Sequence, residues 1–191
     1  MGVRLLAYGD KACFTRPEFK VERVTYEVPT VSAVEGLLKS VYWHPGITWE
    51  VDRIHVLNEI RLSSELHNEL DGQLRNTTML RDVAYGIEAH FLVDADKTHP
   101  GKVLEMFNHR LEKGKTYRQP CFGLREMQAF LEPVRGDFPP SFYAGVDHDF
   151  GWVLYHVDYE HPGAPSSYFR ARMIDGVIDV ASIRRSGGIV R

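Results

Sequence analysis

Four side chains in the sequence could bind a phosphate group and transfer protons. Lys102 begins a segment of helical spacing, His99 precedes it, and His109 follows Lys102 by seven residues. Seven residues are about two helical turns, so Lys102 and His109 share a similar face, roughly 10 Å apart. The free N–H groups of a helix N-terminus attract anions, which favours a phosphate beside Lys102. Tyr42, at the end of an earlier predicted helix, is the fourth candidate.

These groups are suited to cleaving RNA without a metal ion. In that reaction the ribose 2′-OH attacks the adjacent phosphate, and a 2′,3′-cyclic phosphate and a 5′-OH are formed. A base must take the proton of the 2′-OH, an acid must protonate the leaving 5′-oxygen, and a cation must stabilise the developing charge. Lys102 fits the cation, and Tyr42 could position the 2′-OH or transfer a proton. The substrate must be RNA, because DNA lacks the nucleophile.

The sequence offers little for a metal ion or a nucleotide cofactor. Its nine histidines are scattered, and it contains no His-x-x-x-His or Cys-x-x-Cys pair. The cluster Asp147-His148-Asp149 lies in a stretch rich in glycine and proline, where a polar turn is the simpler interpretation. A glycine-rich phosphate loop is also lacking. We therefore expect no metal and no cofactor, which gives little weight to an enzyme acting on small molecules.

The distribution of charge matters more than the net charge of −3. Residues 97–118 contain six lysines and arginines against two glutamates, whereas residues 136–163 contain five acidic residues and no Lys or Arg. The chain can therefore present a basic face to nucleic acid and an acidic face to protein. The candidate RNA-binding residues are Arg16, Lys20, Arg23, Arg81, Arg110, Lys113, Lys115 and Arg118.

The apolar runs in the sequence are short. None approaches the roughly 18 residues of a membrane span, and the first ten residues, MGVRLLAYGD, become charged too soon for a signal peptide. The two cysteines, Cys13 and Cys121, are far apart and are expected to be buried free thiols. We expect a cytoplasmic protein that does not contact a membrane.

Two segments carry the clearest periodicity. From about Thr30 to Tyr42, apolar residues recur at helical spacing behind a cap supplied by Thr30 or Ser32. From Leu80 to Ala95, apolar residues alternate at period two, which predicts a strand with one buried face. The other predicted segments are strands at Val3–Tyr8, Lys20–Val28, Thr48–Leu57 and Arg125–Val134, a helix at Lys102–Lys113, and a loop or mobile hairpin at Ser63–Thr78.

The predicted elements follow the order strand–helix–strand–strand–helix–strand. This order is typical of a ferredoxin-like α+β domain, which is also the fold of the RNA-recognition motif. Further short strands follow a Pro- and Gly-containing segment that begins near residue 135. The expected organisation is a ferredoxin-like RNA-binding domain at 1–134 and a small antiparallel β region at 135–191.

Several motifs, in order, resemble the CRISPR-associated Cas-five (Cas5) family in its type I-C form. The resemblance covers most of the chain and is carried by Phe14-Thr15-Arg16-Pro17, Tyr26-Glu27-Val28-Pro29-Thr30, Tyr42-Trp43-His44-Pro45, Asp52-Arg53-Ile54-His55-Val56-Leu57, Leu80-Arg81-Asp82-Val83-Ala84-Tyr85, Glu88-Ala89-His90-Phe91 and Phe122-Gly123-Leu124-Arg125-Glu126. The resemblance implies the same ferredoxin-like fold. It also implies that Tyr42 and Lys102 match the family's active-site tyrosine and lysine.

The resemblance implies an endoribonuclease that cuts a precursor CRISPR RNA within its repeat. Such a protein then holds the 5′ handle of the guide RNA as a subunit of the type I-C interference complex, beside the backbone and large subunits, with double-stranded DNA as a further possible partner. Characterised relatives can carry a histidine directly after the active-site lysine, where this chain has Val103. Proton transfer then falls to His99, to His109, or to Tyr42 alone. The alternative is a subunit that binds the 5′ handle without cleaving RNA.

Overall fold

The computed structural model describes residues 2–19, 21–68, 74–157 and 165–191, so the predicted RNA-binding residue Lys20 lies outside the described residues. In chain order the elements are β1 (Gly2–Ala12), β2 (Arg23–Val24), α1 (Val31–Val41), β3 (Ile47–Val56), β4 (Arg61–Asn68), β5 (Leu74–Val93), α2 (Pro100–Glu112), β6 (Phe130–Pro133), β7 (His148–His156), β8 (Ser167–Ile174), β9 (Val177–Asp179), α3 (Val180–Arg185) and β10 (Ile189–Val190).

One large sheet joins the strands of this α+β structure. The strand order is β10-β8-β9-β3-β5-β1-β6, with β2 and β4 also paired to β5 and β7 paired to β8. All of these pairs are antiparallel except β2 with β5. Strand β9 pairs with β3, so the strands after residue 135 continue the sheet that is formed by the strands before it.

Strand β5 is the centre of the sheet. It pairs with β1 on one side and with β3 on the other. As its period-two pattern predicts, the residues on one face are buried, namely Val83, Tyr85, Ile87, Ala89 and Phe91. On β3, Trp49 packs against Phe91 with ring centres 5.4 Å apart and against Phe107 of α2 at 4.9 Å. The buried face of the sheet therefore forms the core together with the helices.

Helix α1 follows its sequence signals closely. The side chain of Thr30 accepts a hydrogen bond from the backbone N–H of Ala33, which identifies Thr30 rather than Ser32 as the cap. The apolar stripe of α1 is buried, and the helix ends at Tyr42, as predicted. Helix α2 buries Val103, Phe107 and Leu111, whose spacing of four centres its apolar face. Leu104 lies at the margin of that face and is partly buried.

Three predictions about the strands need correction. Strand β1 continues to Ala12 rather than ending at Tyr8, because its pairing with β5 extends past the turn dipeptide Gly9-Asp10. Among the described residues, only Arg23–Val24 of the expected 20–28 strand and only Phe130–Pro133 of the expected 125–134 strand form ladders. For residues 63–78, the hairpin rather than the loop is observed, because much of this segment consists of the paired strands β4 and β5.

The described part of the chain contains no helix that is long and apolar enough to cross a lipid bilayer.

Candidate functional site

The end of α1 fixes the position of Tyr42. Its side chain is 8% exposed, and the guanidinium carbon of Arg110 lies 5.3 Å from the centre of its ring. Arg110 also donates a hydrogen bond to the carbonyl oxygen of Val41, at 3.2 Å. The indole N–H of Trp49 donates to the carbonyl oxygen of Tyr42, also at 3.2 Å. Contacts from α2 and β3 therefore hold this tyrosine in place, and only a small part of its surface reaches solvent.

The loop that follows α1 packs against the loop that joins β5 to α2. The backbone N–H of Asp94, at the end of β5, donates to the carbonyl oxygen of Gly46, at 2.9 Å. A Cβ atom at Gly46 would lie 2.7 Å from the Cβ of Lys97, so only glycine allows this approach. His44 holds the same turn, since its Nδ1 accepts a hydrogen bond from the N–H of Gly46. The loop after Tyr42 is therefore fixed against the loop that leads into α2.

Lys102 lies in the first turn of α2, with its side chain exposed to solvent. Within the described residues no carboxylate pairs with it. His99 is the N-cap of the helix, and its Nδ1 accepts a hydrogen bond from the N–H of Gly101 at 3.2 Å. An accepting Nδ1 is unprotonated, so the neutral ring carries its proton on Nε2. His109 is exposed and lies two turns along the same face as Lys102.

The structure separates the tyrosine from the lysine along α2. Tyr42 contacts Arg110 in the last turn, whereas Lys102 lies in the first turn, eight residues earlier. Eight residues correspond to about 12 Å along a helix axis. An RNA strand that contacts both side chains must therefore run along the exposed side of α2.

Position 103 faces the core rather than the surface. Val103 is fully buried beside Phe107, one residue after the exposed Lys102. A side chain at this position points away from any phosphate that Lys102 holds. The departure at position 103, where this chain has valine in place of a histidine, therefore concerns a buried position.

The variant Val103→His should lower the free energy of unfolding by about 1–3 kcal/mol, because it buries a polar ring without a partner. Burial would depress the pKa of the new imidazole below its ordinary value of about 6.5, so the unfolded state would bind more protons. The loss of stability should therefore grow as the pH falls from 8 to 5.5. Urea unfolding at both pH values measures this loss of stability, and Val21→His, at an exposed position, is the control. Unchanged stability together with faster RNA cleavage would show that residue 103 reaches the substrate.

The predicted RNA-binding residues fall into two groups. Lys113, Lys115 and Arg118 follow α2 closely, are exposed, and have no ion-pair partner among the described residues. The members of the second group form ion pairs, namely Arg16 with Glu18, Arg23 with Glu126 and Arg81 with Glu65. Arg110, as described above, covers the ring of Tyr42. The first group and Arg110 therefore lie where the end of α2 meets the end of α1.

A cleft of about 660 Å³ runs beside α1 and contains a residue that the sequence analysis missed. Arg125 lines it together with Arg118, whose guanidinium lies 3.9 Å from a Cβ built at Gly36 of α1. Both arginines are exposed and lack a carboxylate partner in the described ranges. Cys121 also lines the cleft, and burial raises the pKa of its thiol. Arg125 is followed directly by Glu126 in the sequence, so no local excess of positive charge indicated it.

Two further polar clusters are held together by ion pairs. Asp149, the end of the Asp147-His148-Asp149 cluster, pairs with Arg170 at 2.7 Å, and this hydrogen bond lowers the pKa of its carboxyl group. On the sheet surface, His90 lies 2.9 Å from Asp52. Arg184 of α3 pairs with the same aspartate at 3.4 Å. In the described part of the chain no group of three or more His, Cys, Asp or Glu side chains is arranged to hold a metal ion.

Comparisons with known proteins agree with one another. The family model for the CRISPR-associated protein Cas5, in its Cas5d form, matches residues 2–181. A CRISPR pre-crRNA endoribonuclease Cas5d from Mannheimia succiniciproducens is 39% identical, over 93% of this chain and 94% of its own. A protein of the same description from Thermus thermophilus is 37% identical, over 88% of this chain and 79% of its own.

Two solved structures share the fold. A crystal structure described as a CRISPR-associated protein has a TM-score of 0.79 at 26% identity, covering 94% of this chain and 91% of its own. A functionally uncharacterized protein, SMU1763c from Streptococcus mutans, has a TM-score of 0.75 at 25% identity, covering 93% and 91%.

Proposed function

Because the chain belongs to the CRISPR-associated Cas5 family, in its Cas5d form, we propose that it is a metal-independent endoribonuclease acting on precursor CRISPR RNA. It cuts within the repeat and stays on the 5′ handle of the guide RNA as a subunit of the type I-C interference complex. The observation that carries the proposal is the exposed Lys102 in the first turn of α2, which has no carboxylate partner among the described residues, with His99 capping the same helix.

Lys102 and the N-terminus of α2 bind the scissile phosphate. The positive end of the α2 dipole and the ammonium group both favour negative charge, and this charge increases as the phosphorane forms. The helix dipole contributes here rather than a set of free N–H groups, because Pro100 has no N–H and the N–H of Gly101 is bound by His99. His99 lies next to this site and is the acid that protonates the leaving 5′-oxygen. It donates from the doubly protonated ring, in which Nδ1 has released the N–H of Gly101, because loss of Nε2–H from a neutral imidazole would leave an imidazolate.

The base that takes the proton of the 2′-OH is either His109 or Tyr42. His109 shares the exposed face of Lys102 at a separation of about 10 Å, so one nucleotide can reach between them. Tyr42 is nearly buried under Arg110, which suits a role in positioning the ribose better than one in exchanging protons with solvent. The 2′,3′-cyclic phosphate and the 5′-OH are the products of this route.

The RNA track extends past α2 to the cleft beside α1. Lys113, Lys115 and Arg118 follow one another from the end of the helix into this cleft, where Arg125 adds a fourth cation. Unpaired exposed cations contribute most of the affinity of proteins for nucleic acid, through contacts with phosphates. The paired residues Arg16, Arg23 and Arg81 would contribute after releasing their carboxylates.

The proposal includes a ferredoxin-like arrangement for strands β6, β1, β5 and β3 with helices α1 and α2. Support comes from their antiparallel pairing in this order and from the split strand–helix–strand connections that join them. The division into domains at 1–134 and 135–191 remains a prediction, and pairing of β9 with β3 couples the two parts. The proposed partners are the guide RNA, the backbone and large subunits of the complex, and double-stranded DNA.

A second candidate function is binding of the 5′ handle without cleavage. The burial of Val103 favours it, because the side chain after Lys102 supplies no acid or base to the phosphate. The basic track would then hold the guide RNA while another enzyme cuts the precursor.

Incubation of the purified protein with its own repeat RNA in excess EDTA tests the proposal against this alternative. We expect one discrete cut at the same rate as in Mg²⁺. Tight binding without any cut would favour the binding subunit, and a cut that requires added metal would contradict the metal-independent route.

A further inference from the structure

Two aromatic side chains are stacked on each other at the surface beside Tyr42. The rings of Trp43 and Tyr117 lie with their centres 6.1 Å apart and their planes 29° apart. Trp43 is 49% exposed and Tyr117 is 63% exposed. A stacked pair of this kind leaves an outer ring face open, and this face can accept a further planar group.

The backbone holds this pair in place before any ligand arrives. The N–H groups of Tyr117 and Arg118 both donate to the carbonyl oxygen of Ser40, at 2.6 and 3.3 Å. Trp43 follows Tyr42, whose carbonyl oxygen is bound by the buried Trp49. The loop after α2 and the end of α1 are therefore fixed against each other, so little conformational entropy is lost when a planar ligand stacks there.

The surroundings of the pair are basic. Residues 113–125 contain Lys113, Lys115, Arg118 and Arg125 and no acidic residue. The acidic residues at the two ends of this stretch, Glu112 and Glu126, are paired with Arg135 and Arg23. An aromatic surface among unpaired cations fits a nucleobase with its phosphates, because every base has a flat face for stacking. An acidic or neutral surround would have favoured a protein partner.

We propose that Trp43 and Tyr117 form a stacking platform for one unpaired base of the repeat RNA, at the opposite end of α2 from Lys102. The inference rests on the proposed function and adds a recognition element to it. The stacked base fixes the register of the strand, while Arg118, the residue after Tyr117, binds the phosphate beside that base. The platform thereby selects RNA with an unpaired nucleotide at one distance from the cut.

A scan with abasic nucleotides tests the platform. Single abasic sites are placed in the unpaired part of the repeat RNA, and affinity is measured for the intact protein, Tyr117→Ala and Trp43→Ala, with Trp152→Ala as a matched control at an exposed position. One abasic position should weaken binding by the intact protein about tenfold. Tyr117→Ala should cause the same loss with the unmodified RNA, and the two changes together should add nothing further. Tyr117→Phe should restore binding, because it keeps the ring.

Fluorescence provides a second readout. In a Trp152→Phe background the remaining tryptophans are the exposed Trp43 and the buried Trp49. Stacking of a base should quench the emission of Trp43, and the Trp43→Phe variant of this background should show no quenching.

The outcomes separate the inference from the proposed function. If the platform variants bind and cut the repeat RNA as the intact protein does, the platform is wrong while the nuclease stands. If they bind RNA normally but no longer assemble with the other subunits, the pair is a protein interface and the inference is overturned. If the intact protein neither binds nor cuts repeat RNA, the proposed function fails and the platform fails with it. If the losses of affinity from the abasic site and from Tyr117→Ala add in full, the inference is also overturned.

Discussion

The variant Lys102→Ala should cut the repeat RNA about 100- to 1,000-fold more slowly than the intact protein, at saturating protein concentration. Loss of one preorganised group that stabilises the charge of the transition state has an effect of this size. Affinity for the RNA should fall by less than about threefold, because Lys102 is one of several cations on the track and each contributes modestly. Lys102→Arg should recover part of the rate, since it keeps the charge but changes its position.

A lysine on the other helix gives the matched control. Lys39 lies on α1 and pairs with Glu35 at 3.2 Å, so Lys39→Ala should leave the rate of cleavage unchanged. Single-turnover cleavage under excess protein measures the chemical step separately from binding. Equal rates for Lys102→Ala and Lys39→Ala would remove Lys102 from the mechanism.

The variant Trp49→Ala should lower the free energy of unfolding by about 3–5 kcal/mol. Trp49 is fully buried between Phe91 of the sheet and Phe107 of α2, so its removal leaves a large cavity. The change also deletes the hydrogen bond to the carbonyl oxygen of Tyr42. A loss of this size is a large share of the roughly 5–15 kcal/mol that stabilises a typical domain.

Urea unfolding followed by circular dichroism measures this loss without relying on tryptophan emission. Trp152→Ala is the comparison, because Trp152 is 53% exposed on β7 and its removal should change stability by less than about 0.5 kcal/mol. Trp49→Phe should retain most of the stability but slow cleavage, since the carbonyl oxygen of Tyr42 loses its donor. Similar stability of Trp49→Ala and Trp152→Ala would contradict the packing of α2 on the sheet.

Local signals were enough to place the main elements. The alternation of apolar residues in β5 lies within a single segment of sequence, as do the cap and the apolar stripe of α1. These predictions agree with the structure. The extent of β1 was not predictable in this way, because pairing with β5 overrides the turn propensity of Gly9-Asp10. The short helix α3 after Asp179 was missed, since six residues carry too little periodicity to recognise.

In the candidate site, too, some features could be predicted from the local sequence and others could not. The place of Lys102 in the first turn of a helix was predicted from the sequence. The capping role of His99 was not, because the helix was expected to begin at Lys102 and begins at Pro100. The burial of Val103 depends on the rotation of α2 against the sheet. The stack of Trp43 on Tyr117 joins residues 74 positions apart, and Arg125 and Arg118 line one cleft only because the loop between them lies along α1. Such contacts arise from tertiary packing, and periodicity carries no signal for them.

The most direct test of the account is a repeat RNA with a single 2′-deoxy nucleotide at the cleavage site, incubated in EDTA with the intact protein. We expect binding like that of the unmodified RNA and no cleavage at this site, because the attacking 2′-OH is missing. With the unmodified RNA, mass spectrometry should find a 2′,3′-cyclic phosphate on the upstream product. Cleavage of the 2′-deoxy substrate at the same bond, or an upstream product that ends in a free 3′-OH, would contradict the proposed mechanism.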